Sequence, residues 1–407
     1  MKASQTQQEI FLDVSSTATS PIITGIPRVV RALADKRNRN LVSLVEYDGL
    51  VNSYKQIQDL PPINPVTDDS ARKRVFAASQ LYKALTESQL LRSVVALILR
   101  NRLMFYFARK LLGNPSASGV ILDELTGILF LPEVPVHNAH VKKVLALKKS
   151  GSIKLALYLH DLLPLQHPEF FSHDLIWKFN NFVPLIEVAD IILVSNNDVK
   201  SQVEDLFKKS QINVIALPAA FDPSNEKVEF DLRFLVVGTI EPRKNYVAIL
   251  DAFERLHEIR PEVELRIIGN IGWKYTEIIQ RISTLQNRGV KLQWIRNLSD
   301  EDLQREYQQA IALLYPSHYE GYGLPVVEAL SQSTPVITSN RPAMRLFASL
   351  GGVSLINPEN PEELLVEMTR MLDVEYRNAK ALEIQLDQIP TSWSIFTEQC
   401  FLAIKEV

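Results

Sequence analysis

Residues 316–340 read PSHYEGYGLPVVEALSQSTPVITSN, and the reading of this stretch decides the fold. An apolar run, IALLYP (311–316), leads in, and PVITS (335–339) leads out. Two strands joined by a turn and a helix are the natural reading. Gly321 and Gly323 make the turn and let backbone amides approach a ligand with no β-carbon in the way. Pro325 suits the first turn of a helix, where its missing N–H is no loss. The amides of about Tyr322 to Val326 are then expected to be free donors at the positive end of that helix, suited to a diphosphate or to polarised hydroxyls. Glu320 is expected at the mouth, able to accept from a hydroxyl. Glu328 lies one turn into the helix and can reach two vicinal hydroxyls at once, as the acidic residue of a dinucleotide site grips ribose. The plain alternative is a helix start with an acid near its dipole.

A second segment has the same logic. FLVVGTIEPRKNYVAIL (234–250) is a strand, then Gly238 and Thr239, then Arg243, Lys244 and Asn245, then a helix. Arg as a fork and Lys as a point charge at a strand's carboxyl end are suited to a pyrophosphate. Alone, such a pair also reads as a solvated basic step before a helix.

Working outward, short apolar runs mark two series of buried strands. The first is IFLDVS (10–15), LVSLVEY (41–47), KLALYLH (154–160), IILVS (191–195) and NVIALP (213–218). The second is FLVVG (234–238), ELRIIG (264–269), VKLQWI (290–295), IALLYP (311–316) and PVITS (335–339). Most are separated by helix-length segments, which predicts an α/β protein with parallel sheets and crossover helices. PAAFDPSNEKVEFD (218–231) reads as the linker between two halves. The expected organisation is one Rossmann-like domain over 1–221, a second over 228–390 and a last segment over 391–407. The two doubly wound domains face a cleft, and ligands sit at the carboxyl ends of the strands.

Residues 70–113 fit a simple crossover poorly, being almost wholly helical in pattern. Their end mixes VVALIL and LMFYFA with Arg92, Arg100, Arg102, Arg109 and Lys110. Two readings stand: a basic amphipathic surface at 90–113 touching an anionic membrane, or a helix pair packed on the first sheet.

Composition sets outer limits. The 407 residues are 46% hydrophobic and 22% charged, with net charge −3, so no global basic field exists for nucleic acid. MKASQTQQEI lacks the apolar core of a signal peptide. No run approaches the roughly 18 apolar residues of a membrane span. A single cysteine, Cys400, excludes an intrachain disulfide, and seven dispersed histidines argue against structural zinc. The expected location is the cytoplasm, with the inner face of the membrane as the peripheral variant.

GTIEPRKN followed by PSHYEGYGLPVVEA resembles family 4 of the retaining nucleotide-sugar glycosyltransferases, which have the GT-B fold. The spacing from Glu320 to Glu328 matches that family's E-x7-E signature. The likeness runs over most of the chain. LDVSSTATSPIITGIPRVVRAL (12–33) is similar to the N-terminal glycine loop, and HDLLPLQHPEFF (160–171) to the His-Asp loop of bacterial O-antigen mannosyltransferases. IILVSNNDVKSQV (191–203) resembles the strand and serine turn before the linker. RIIGNIGWKYTEI (266–278) resembles the Gly-x-x-Gly-Trp stretch of that mannosyltransferase group, and SWSIFTEQCFLAI (392–404) resembles the returning helix.

The resemblance implies that 1–221 is the acceptor-side domain, 228–390 the nucleotide-sugar-binding domain and 391–407 a helix returning to the first, and it implies roles at matching positions. Arg243 and Lys244 would contact the donor diphosphate, with Gly238 and Thr239 beside it. Glu328 would hold the ribose. Glu320, with the amides of Gly321, Tyr322, Gly323 and Leu324, would hold the transferred sugar. His160 would sit beneath that sugar near its anomeric centre; its plainer reading is a satisfied histidine at a strand end. Asp161 would anchor the loop, and Gly25 would pass close to phosphate or acceptor. The implied reaction is transfer of a hexose, best assigned as mannose from GDP-mannose, to a glycan or lipid-linked glycan acceptor. No cofactor and no metal are implied. The rivals are a UDP- or dTDP-sugar donor on the same fold, or a nucleotide-sugar-binding partner subunit without turnover. Asp300, Glu301 and Asp302 match an Asp-x-Asp metal string, but Ser299 before them predicts a helix cap. Two departures from the family pattern lie near the donor pocket: Ser333, where a glycine is usual, and RPAMRLFASLGG (341–352), with Met344 and Arg345 and no glutamate.

Overall fold

The computed structural model of the protein describes residues 8–18, 25–49, 51–60, 119–122, 124–135, 137–224 and 231–407. The helical stretch expected over 70–113 and part of the linker lie outside them. Among the described residues fourteen strands form two sheets. The first holds β1 (Ile10–Asp13), β2 (Ser43–Asp48), β3 (Ser53–Ile57), β4 (Val120–Ile121), β5 (Gly127–Leu131), β6 (Ile153–Leu159), β7 (Ile191–Val194) and β8 (Ile212–Val214). The second holds β9 (Arg233–Val237), β10 (Glu264–Ile268), β11 (Leu292–Ile295), β12 (Ala312–Tyr315), β13 (Val336–Ser339) and β14 (Val353–Ile356).

The strand orders are β4-β3-β2-β1-β5-β6-β7-β8 and β11-β10-β9-β12-β13-β14. Every pair in the second sheet is parallel. Its central strands, β9 (RFLVV) and β12 (ALLY), read as near-continuous apolar runs because helices cover both faces. Ala312 to Tyr315 are all buried, and each large side chain so placed contributes about 1.5–3 kcal/mol.

The first sheet departs from the expected all-parallel form at one edge. β2–β3 and β3–β4 are antiparallel. Asp48 pairs with Ser53 across a short turn, and a link that short cannot carry a parallel crossover. The sequence reading missed β3, β4, β5 and β14. It also ran the strand near 213 to residue 218, whereas β8 stops at Val214. β5 (GILFL) is the costliest omission, since it lies beside β1 and makes the switch point of the first sheet.

Each sheet has a core on either face. The helix Trp393–Ile404 returns to the first sheet, where Phe396, Cys400, Phe401 and Ile404 pack with Leu12, Phe130 and Tyr158. The chain has the GT-B fold: two facing α/β halves and a last helix that crosses back. Among the described residues no helix is long and apolar enough to cross a membrane.

Candidate functional site

In the second sheet the order reverses between β9 and β12, which are neighbours that leave the sheet in opposite directions of winding. The crevice beyond their carboxyl ends is where such sheets bind ligands. The two motifs follow these two strands. Arg243 and Lys244 lie on a 3-10 turn (Pro242–Lys244) after β9. Glu320 and the glycine turn follow β12, and the helix Leu324–Ser331 leads away. The loops are tied together by the His318 N–H on the Arg243 carbonyl at 2.9 Å, and by the Asn245 side chain on the Pro316 carbonyl at 3.2 Å.

Arg243 Nη1 lies 2.5 Å from Glu320 Oε2, and Lys244 Nζ 2.6 Å from Oε1. Arg243 Nη2 also meets Glu241 Oε1 at 2.6 Å, and Lys244 donates to the Tyr315 hydroxyl at 2.5 Å. Glu320 is therefore not the free acceptor at the mouth that its sequence suggested. Its side chain is 7% exposed and serves as counter-ion to the basic pair. Burial pushes its carboxyl up, but the Arg243 and Lys244 charges outweigh that and hold it at about 2. Burial lowers the Lys244 ammonium against the opposing pull of Glu320. The Glu241 carboxyl, which the sequence reading did not single out, is raised by burial against the pull of Arg243 and Lys244. Two cations thus share two carboxylates, a balance that lets buried charges persist. Among the described residues Arg243 Nε is a buried donor with no partner. Gly238 lies against the Lys244 stem, its β-position 3.4 Å from Lys244 Cε, and Thr239 packs beside Gly272.

The first half closes over this cluster at Gly321. A β-carbon there would stand 2.6 Å from the His160 carbonyl oxygen and 2.6 Å from Asp161 Cβ. Asn196 Nδ2 donates to the Gly321 carbonyl at 2.6 Å, and the Tyr322 hydroxyl donates to the Leu217 carbonyl at 2.7 Å. Tyr322 and Leu324 pack on the first half's core. Met344 fills the space over Gly323, 2.6 Å from where a β-carbon would be. The expected row of free amides is shorter than predicted. Pro325 has none, and the Val326 N–H is bonded to the Gly323 carbonyl at 2.9 Å.

His160 follows β6. Its Nε2 lies 3.0 Å from the Pro132 carbonyl. A carbonyl only accepts, so Nε2 carries the proton and Nδ1 keeps the lone pair when the ring is neutral. Burial, only partly offset by that bond, lowers the imidazole to about 4. Asp161 accepts from the Leu163 N–H at 3.0 Å, the loop-anchoring role expected of it, and burial raises its carboxyl. The 160–171 loop is also held from the second half. Trp273 Nε1 donates to the Phe170 carbonyl at 2.6 Å, and His167 stacks on Tyr319 at 3.5 Å. Two segments far apart in sequence, HDLLPLQHPEFF and GNIGWKYTEI, therefore meet.

Glu328 is buried, and both its oxygens have partners. The Tyr307 hydroxyl donates to Oε2 at 2.9 Å, and Arg28 Nη1 meets Oε1 at 2.9 Å. Arg28 Nη2 reaches Asp300 at 2.7 Å. Ser299 caps its helix as expected, accepting from the Asp302 N–H, but Asp300 turns to Arg28 rather than serving the cap alone. Gly25, at φ 68°, precedes the helix Ile26–Leu33 and has open space where a side chain would project. Arg28 and Asn196 carried no separate signal in sequence. Ser333 sits at φ 58° in the turn before β13, a conformation where glycine is unstrained, which explains the residue usual there.

Residues 219–383 match the family model described as glycosyl transferases group 1. The serotype-specific mannosyltransferase WbdA of Escherichia coli is 29% identical over 253 residues, covering 56% of this chain and 30% of WbdA. O-antigen chain mannosyltransferase B of Escherichia coli is 31% identical over 200 residues, 44% of this chain and 51% of that protein. The matched stretches thus span less than a third of one relative and about half of the other. Among solved structures, Anabaena Alr3699/HepE in complex with UDP and glucose superposes with a TM-score of 0.63 at 14% identity, covering 98% of this chain and 100% of that one.

Proposed function

We propose that this chain, whose residues 219–383 are a glycosyl transferase group 1 domain, moves mannose from GDP-mannose to a glycan or lipid-linked glycan in surface polysaccharide synthesis. The observation that carries the reading is the Arg243–Lys244–Glu320 cluster at the β9/β12 switch point, facing His160 across Gly321. The names of the two relatives, both mannosyltransferases and one of them an O-antigen chain mannosyltransferase, support the sugar and the pathway class.

Breaking the bond between the sugar carbon and the diphosphate oxygen builds positive charge on the sugar and negative charge on the leaving group. Arg243 and Lys244 stabilise that negative charge more as it grows. Their pairing with Glu320 and Glu241 fixes them before substrate arrives, so little reorganisation is needed. His160 is neutral at pH 7, so it sets no cation against the developing positive charge. The acceptor hydroxyl adds from the face the diphosphate leaves, and its proton passes to the departing phosphate oxygen. The anomeric configuration is then retained, and no metal takes part.

The test is product formation by the protein alone, in EDTA, from GDP-mannose against UDP-glucose, UDP-N-acetylglucosamine and dTDP-rhamnose, with a mannose-terminated lipid-linked acceptor. Transfer from GDP-mannose, with an α-linked product, supports the reading. Transfer from another donor replaces the sugar, and no donor binding at all replaces the activity.

A further inference from the structure

Arg28 lies one turn into the helix Ile26–Leu33 of the first half, and its guanidinium ends in the second. Nη1 takes Glu328 at 2.9 Å and Nη2 takes Asp300 at 2.7 Å. Its side chain is 13% exposed, that of Glu328 5%, and that of Asp300 58%. We propose that Arg28 is a positioning residue of the donor site, which makes the ribose grip of Glu328 depend on closure of the two halves. The proposal rests on the reading of Glu328 as the ribose ligand.

The argument starts from lone pairs. Each carboxylate oxygen can accept two hydrogen bonds. Tyr307 occupies one on Oε2 and Arg28 one on Oε1. The second site on each oxygen is the pair a vicinal diol would use, and the two partners together fix the plane in which that pair points. They differ in origin. Tyr307 comes from the helix Asp300–Gln309 of the same half and is fully buried, so its bond persists whatever the cleft does. Arg28 comes from the other half, so its bonds exist only while the halves meet.

Charge gives the coupling its strength. A buried carboxylate without a cation is costly and drifts toward its neutral form. A neutral carboxyl has lost most of its power to accept from a hydroxyl pair. Arg28 supplies the compensating charge, and Asp300 takes the second arm of the fork so that the guanidinium stays aimed. Arg28 touches neither reacting atom in this scheme and acts through Glu328.

The test is calorimetric binding of GDP and of 2′,3′-dideoxy-GDP, which lacks the diol, with UDP and 2′,3′-dideoxy-UDP in parallel. The proteins are the wild type, Arg28→Gln, Arg28→Lys, Glu328→Gln and the Arg28→Gln/Glu328→Gln double variant. Arg28→Gln is expected to lose about tenfold in affinity for the diol-bearing nucleotide and nothing for the dideoxy form. Arg28→Lys should retain part of the preference. The double variant should be no weaker than Glu328→Gln alone, since the two act as one unit. Retained dideoxy binding on the same samples shows that each variant is folded. Equal weakening of both nucleotides by Arg28→Gln would make Arg28 a phosphate contact and overturn the proposal. Unchanged binding would overturn it too. A wild type that does not discriminate the two nucleotides removes the ribose reading of Glu328 itself, and the proposal with it.

Discussion

Gly321 meets His160 with no room for a side chain between them: a β-carbon on Gly321 would lie 2.6 Å from the His160 carbonyl oxygen. This approach sets the glycine turn of the second half against the His160–Asp161 loop of the first. Gly321→Ala should force the halves apart by a few tenths of an ångström or more. Overpacking of this kind costs about 1–3 kcal/mol. The expected result is a protein that still melts cooperatively, a few degrees lower, with turnover down about 100-fold because the reacting groups are displaced. Wild-type turnover in this variant would show that the contact does not position the site.

Lys244 and Glu320 form a buried pair, so removing one charge differs from removing both. Lys244→Ala should lower kcat by about 10²–10³-fold, the scale of a lost donor aimed at developing charge. It should also destabilise the fold, since Glu320 keeps only Arg243. The Lys244→Met/Glu320→Gln double variant should recover much of the stability and none of the activity. Thermal melting beside initial rates with the donor separates the two effects.

The imidazole of His160 is lowered from 6.5 to about 4 in the folded protein by burial. The unfolded chain therefore takes up this proton before the folded one does. The stability contribution is fully present above 6.5 and is lost as pH falls from there through about 4. Glu320 adds a second loss at lower pH: against burial, Arg243 and Lys244 depress its carboxyl from 4.5 to about 2, and their stabilisation fades across that window. His160→Gln should be less sensitive to pH than wild type between pH 7 and 4.5 in urea unfolding. Parallel curves for the two proteins in that range would contradict the neutral-histidine assignment.

Glu328 and Asp302 are both acids near helix starts, yet their surroundings differ. Asp302 accepts from the Ser299 hydroxyl at 2.6 Å, while its own N–H is capped by Ser299. Glu328 is buried between Arg28 and Tyr307. Asp302→Ala should cost about 1 kcal/mol of stability and leave donor affinity alone. Glu328→Ala should weaken donor binding by tenfold or more, on the scale of charged hydrogen bonds. Equal losses of affinity in both would remove the ribose assignment.

Trp273 holds the His160 loop from the second half through its bond to the Phe170 carbonyl. Trp273→Phe keeps the ring that stacks near Phe171 but deletes the donor. KM for the donor is expected to rise several-fold with kcat nearly unchanged, on the scale of one neutral hydrogen bond. A fall in kcat alone, at constant KM, would place Trp273 in the chemical step instead.

The second half was largely legible before the structure. Its strands are parallel and covered on both faces, so they appear as apolar runs between helix-length segments. Its basic pair and two glutamates lie in turns marked by glycine and proline. The first half was less so. Its antiparallel strand Ser53–Ile57, SYKQI, mixes polar residues because Lys55 is buried against Asp48 at 3.2 Å, a pairing no periodicity reveals. β5, GILFL, was overlooked beside the long helical pattern of 70–113.

By itself, then, the sequence determined the alternation of strands and helices, the two-half architecture, and two separate local motifs, the Arg243–Lys244 pair and the Glu320-to-Glu328 turn. Those follow from spacings of a few residues, over which local backbone geometry dictates which side chains share a face or a turn. Only the tertiary structure decided that Glu320 is a counter-ion and that Gly321 lies against His160. It alone joined Trp273 to the Phe170 carbonyl, and Glu328 to an arginine 300 positions away. Contacts of that span are set by how two separately packed sheets dock, and nothing in the spacing of residues within either half encodes the docking.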